Sequence, residues 1–79
     1  MEEKDLIRIR WSPDRTQDPV MFRLVCDTEG YQDLEVSVSS AEMSERVAKA
    51  KLMQKMYELG KERGIASGRL RFRINGIEE

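Results

Sequence analysis

Six of the nine arginines, Arg8, Arg10, Arg23, Arg69, Arg71 and Arg73, recur at alternate positions within three short segments. A guanidinium offers a planar fork of donors that holds a phosphate or a carboxylate through two parallel hydrogen bonds. Grouped on one face, these side chains would recognise an anion: RNA, single-stranded DNA or an acidic protein segment. Binders of single strands also interleave aromatic rings on which bases stack, and here Trp11, Phe22 and Phe72 fall on the opposite phase. The competing reading is structural. Long arginine stems cover a sheet, pair with Asp27, Asp33 or Glu35, and blunt its edges against aggregation.

The remaining reactive side chains point away from catalysis. The chain has no histidine, which removes the usual general base, the usual zinc ligand and every Ser-His-Asp or Cys-His pair. Cys26 shares the phase of Phe22 and Leu24, so it reads as a small core residue rather than a nucleophile. Asp14, Asp18 and Asp27 lack the spacing of metal ligands, and no cofactor is expected. Gly64-Ile65-Ala66-Ser67-Gly68 follows a helical pattern and precedes a strand, the wrong order for a loop that cradles phosphate. The expectation is a protein that is not an enzyme. Met43, Met53 and Met56 form either an adaptable binding surface, including a homodimer seam, or the filling of an irregular core.

The elements that must position these groups are read from periodicity. Ile7, Ile9 and Trp11 alternate with Arg8 and Arg10, a strand with one buried face. Ser12 to Pro19 is polar, holds both prolines and forms the longest loop. Val20, Phe22, Leu24 and Cys26 define the inner face of strand two. Thr28-Glu29-Gly30 closes a hairpin, through a glycine free to take positive φ, onto strand three with Leu34, Val36 and Val38 inward. Ser39 and Glu42 have the spacing of a capping box, predicting a helix from Ala41 to about Leu59 or Arg63 with Gly60 or Gly64 as its stop. Its wheel carries two apolar sides: Met43, Val47, Ala50 and Tyr57 on one, Ala48, Leu52, Met56 and Leu59 on the other. Leu70, Phe72 and Ile74 then alternate with Arg69, Arg71 and Arg73 as strand four. Asn75-Gly76 signals a further hairpin whose returning strand is a stub or absent. The pattern βββαβ predicts an α+β two-layer sandwich: one long helix over a four-stranded sheet in the order 3-2-1-4.

Seventy-nine residues make a single domain, residues 1–79. Fourteen basic and fifteen acidic side chains nearly cancel, so attraction to a polyanion rests on their placement alone. A lone cysteine cannot cross-link the fold, which points to the cytoplasm or nucleus. No segment reaches the roughly 20 apolar residues of a membrane span, and the acidic start is opposite in charge to a signal peptide, so a soluble protein with no membrane partner is expected.

Two segments carry a family resemblance. Leu34-Glu35-Val36-Ser37-Val38-Ser39 leading into the helix, and Arg63 to Gly76 with its Gly-Ile exit and Leu-Arg-Phe strand, are similar to the SUMO-like members of the ubiquitin-like β-grasp family. The resemblance covers about sixty residues and implies a β-grasp-like domain whose function is protein–protein interaction. It implies two surfaces: a groove between the helix and strand three, around Glu35, Ser37 and Ser39, and the open sheet face with its arginines. The chain lacks the diglycine tail that the family uses for conjugation. The family's last strand is missing after Gly76, but Glu2 to Trp11 resembles it, so strand one stands in for it in a permuted grasp; a plain antiparallel meander gives the same order with different strand directions. Clean alternation and the absent histidine also fit a computationally designed sequence with no natural activity, whereas the long proline loop and free cysteine do not follow idealised rules.

Overall fold

A computed structural model describes residues 6–74 and 77–78. The alternating segments form β1 (Ile7–Trp11), β2 (Met21–Cys26), β3 (Glu35–Ser39) and β4 (Leu70–Ile74), with the two-residue β5 (Ile77–Glu78) after β4. They join one sheet in the order β3-β2-β1-β4-β5, so the expected order 3-2-1-4 is present with a stub beyond it. β1 runs antiparallel to β2, with Ile9 opposite Cys26 and Trp11 opposite Leu24, and β2 runs antiparallel to β3. β4 runs parallel to β1 after the helical crossover, Ile7 against Leu70 and Ile9 against Phe72. The first three strands are therefore the meander. A permuted grasp would have required β1 parallel to β2. The hairpin turn expected at Asn75-Gly76 and the acidic first five residues lie outside the described residues.

The inward phase is buried in three strands, Ile7, Ile9 and Trp11 from β1, Phe22, Leu24 and Cys26 from β2, and Leu70 and Phe72 from β4, with Leu34 just before β3; Val36 and Val38 of β3 are half-buried. The helix α1 (Glu45–Glu62) closes this face with Ala48, Leu52, Met56 and Gly60, four positions one turn apart. Of the two apolar sides of the wheel, this one is core. Met56 is fully buried, and Met43 and Met53 pack partly buried against the cluster. Of the two readings given for Met43, Met53 and Met56, the core has a share in all three, in Met43 and Met53 only in part.

The start of α1 departs from the expected capping box. Ser44 is the N-cap, and its hydroxyl accepts from the Val47 amide at 3.2 Å. Ser39 cannot take that part because it still lies in the ladder: the Ser40 amide donates to the Val20 carbonyl at 2.8 Å. The Ser39 hydroxyl instead accepts from the Ala41 amide, and Glu42 turns the chain with φ +57. Gly64 at φ +84 ends the helix. The Ile65 amide reaches back to the Gly60 carbonyl and the Gly64 amide to the Lys61 carbonyl, a paired closure that seats Ile65 in the core.

Two loops are tied by exposed carboxylates. Ser12 and Asp14 extend the β1–β2 ladder past the strand ends, the Ser12 amide donating to the Arg23 carbonyl and Asp14 and Met21 exchanging both bonds. The proline loop is thus shorter than its polar sequence indicates. The Asp14 carboxylate gathers what remains, accepting from the Thr16 hydroxyl at 2.6 Å, the Thr16 amide and the Gln17 amide group. Asp33, in the β2–β3 connection, accepts from Arg63 at 2.6 Å and so fastens the far end of α1. The Thr16 hydroxyl holds the Asp14 carboxyl below its ordinary pKa, and the Arg63 guanidinium does the same for Asp33. Because both folded values lie below the unfolded ones, this stabilisation is present in full above the ordinary carboxylate range and lost as pH falls through the folded values. The urea midpoint is expected to decline below about pH 5. Arg63→Met should lower the midpoint at neutral pH and flatten that decline.

Candidate functional site: the open strand edge and the arginine face

β3 stands at one end of the sheet, and among the described residues no strand lies beyond it. Which of its backbone groups are free follows from the ladder. The Cys26 amide donates to the Leu34 carbonyl and the Ser40 amide to the Val20 carbonyl, at 3.0 and 2.8 Å. Antiparallel pairs alternate between bonded and non-bonded, so the even-numbered residues of this segment bond to β2. Glu35, Ser37 and Ser39 therefore direct their amides and carbonyls outward. These are the three residues that the resemblance placed at the groove. Their side chains lie on the outer sheet face, while Val36 and Val38 lean half-buried toward α1. The strand carries no lysine, proline or bulge of the kind that commonly blocks an edge.

The sheet also brings the outward arginines together. On the parallel pair, Arg8 stands opposite Arg71 and Arg10 opposite Arg73, two successive rungs of like charge. Such rungs repel unless an acid intervenes. Asp27 supplies it, placing its carboxylate oxygens 3.4 Å from Arg10 Nε and 3.6 Å from Arg73 Nη1. Arg23 lies 3.5 Å from Glu35, and Arg8, Arg69 and Arg71 also have interaction partners. Asp27 and Glu35 thus do what the structural reading expected of them. Asp33 does not join, being held by Arg63 at the end of α1. Trp11, Phe22 and Phe72 are buried on the other face. Trp11 stacks on Phe22 at 5.2 Å between centroids, with the Lys49 ammonium over its ring and its indole nitrogen without an acceptor among the described residues. The arginine face offers charge to a phosphate chain, but no ring on which a base could stack.

Cys26 is buried, and burial pushes its thiol up from the ordinary value, which keeps it protonated and unreactive at neutral pH. Among the described residues no group of three or more acidic or cysteine side chains could hold a metal, and no helix is long and apolar enough to cross a membrane. An open cavity of about 430 Å³ lies at the C-terminal end of α1, lined by Tyr57, Glu58, Lys61, Ile65 and Ala66. Sequence reading gave this cavity no role. Its only trace there was Tyr57 on the apolar side of the wheel that did not become core. No family model, curated protein or solved structure matches the chain.

Proposed function

We propose that the chain is a non-enzymatic interaction module that takes an extended segment of a partner protein along the open edge of β3. The observation that carries this reading is the outward set of backbone donors and acceptors at Glu35, Ser37 and Ser39. A segment added there gains main-chain hydrogen bonds, and its alternate side chains fall beside Val36 and Val38, where apolar residues are favoured. Tyr57 on one flank of α1 meets Phe72 of β4, so the opposite flank, where the helical period places Lys55, faces β3. An acidic residue in the partner segment complements it. The buried, protonated Cys26 and the absence of histidine support a role without catalysis.

The test is titration of the labelled protein with extended peptides that alternate apolar residues beside an acidic one, followed by amide shifts. Shifts are expected at Glu35, Ser37 and Ser39. Ser37→Pro deletes an outward donor at an edge position where proline is tolerated, and should keep the fold while weakening binding by about tenfold or more. Shifts confined to the arginine strands, or undiminished binding by the proline variant, would overturn the reading.

A further inference from the structure

We propose that the outward face of α1 is the interface of an antiparallel homodimer. On the side away from the core, α1 presents Val47, Ala50, Gln54 and Lys61, with Tyr57 at its border, where one edge of the ring meets Phe72 and the rest is exposed; the five are spaced three and four residues apart in turn. That is the spacing of a helix–helix seam. Val47 at 49% and Tyr57 at 39% are the exposed large hydrophobic residues among those described. At its C-terminal end the seam runs into the cavity formed by Tyr57, Glu58, Lys61, Ile65 and Ala66.

These features select a second copy as the occupant, and they select its direction. With two α1 helices antiparallel and Gln54 set against Tyr57 of the second copy, Val47 reaches the turn after Lys61, where the cavity opens. Lys51 then lies on the same flank as Glu58 of the second copy, two residues (about 3 Å) along the axis from directly opposite, and two-fold symmetry makes each contact twice. A parallel pairing would set Lys51 against Arg46 of the second copy, like charge on like. The surface is thus complementary to itself in one orientation. About fourteen residues of helix overlap, roughly 21 Å at 1.5 Å per residue. A single helix pair of that length falls in the class of small interfaces, so the dimer forms weakly and with concentration. It leaves the β3 edge open, so strand addition and dimerisation are independent of each other.

Sedimentation velocity from micromolar to millimolar protein tests this. The average mass is expected to rise from 9.2 kDa toward twice that value. Val47→Glu, at an exposed position and with the fold checked by circular dichroism, should weaken association by about tenfold or more. Lys51→Glu and Glu58→Lys should each weaken it, and the double exchange should restore it. A monomer throughout the range, a Val47→Glu variant that associates like the parent, or a double exchange that fails to recover association would overturn the proposal.

Discussion

Replacing Leu52 with alanine is expected to cost about 3 kcal/mol and to lower the melting temperature by roughly 10–20 °C. Leu52 has no exposed surface and lies at the middle of the stripe Ala48, Leu52, Met56 and Gly60 that closes the sheet. Its removal forfeits transfer energy and leaves a void whose walls, held by a helix on one side and three paired strands on the other, collapse only in part. A domain of this size has a total stability on the order of 4–12 kcal/mol, so one side chain carries a large share. Val47→Ala is the control. At 49% exposure it should change stability by no more than about 0.5 kcal/mol. Urea unfolding of the two variants measures both values, and a larger loss for Val47 than for Leu52 would reverse the assignment of the buried face.

That assignment shows where reading from sequence succeeded and where it stopped. The strands were legible because a sheet with one buried face imposes strict alternation, and each inward position named from that alternation in β1, β2 and β4 is buried except Val20 and Ile74, which are half-buried. The helix was legible as an element but not as a face, since Val47, Ala50 and Tyr57 are as apolar as the residues that became core. Gly60 was the missing discriminator: it continues the four-residue stripe, and a glycine in line with buried residues marks a close approach rather than a stop. The cap was misplaced because Ser39 and Glu42 have the right spacing while the ladder still holds the chain at Ser40. The direction of β1 was invisible locally. It is set by the continuation of the hairpin through Ser12 and Asp14, backbone bonds that a polar, proline-bearing sequence does not advertise.

The site was legible to a similar depth. Alternation put Arg8, Arg10, Arg23, Arg71 and Arg73 on one face, whereas Arg69, expected in strand four, lies just before β4 in the one-turn 3-10 helix Ser67–Arg69; the outward edge groups at Glu35, Ser37 and Ser39 follow from the same parity. What could not be read was how completely neighbouring acids occupy the arginines. Asp27 closes β2, and only the register that sets it beside Arg8 brings it within reach of Arg10 and Arg73 on two different strands. Pairs of this kind, half-exposed and at 3.4–3.6 Å, contribute on the order of 0–1 kcal/mol each. Their larger effect is to offset the repulsion within the Arg10–Arg73 rung.

Gly60→Val is expected to destabilise the protein by about 2–3 kcal/mol, against the direction that helix propensity alone predicts. A Cβ built at Gly60 would meet Leu70 Cδ1 at 3.1 Å, with Ile65 Cβ and Leu70 Cδ2 each at 3.8 Å. For alanine the two effects oppose: replacing glycine in a helix gains up to about 1 kcal/mol, and the end of the Leu70 side chain can give by a few tenths of an ångström. Gly60→Ala should therefore fall near zero. Valine adds two methyl groups where Leu70 and Ile65 already pack, and its stiff branching leaves few rotamers to avoid them. Relief requires the end of α1 to rise from β4, which strains the bond from the Ile65 amide to the Gly60 carbonyl, 2.8 Å long, and the seat of Ile65 in the core. Urea unfolding of the alanine and valine variants separates close packing from propensity. Stabilisation by both would show that the helix sits farther from β4 than 3.1 Å implies, whereas neutrality for alanine with loss for valine makes Gly60 the contact that sets how closely α1 meets the sheet.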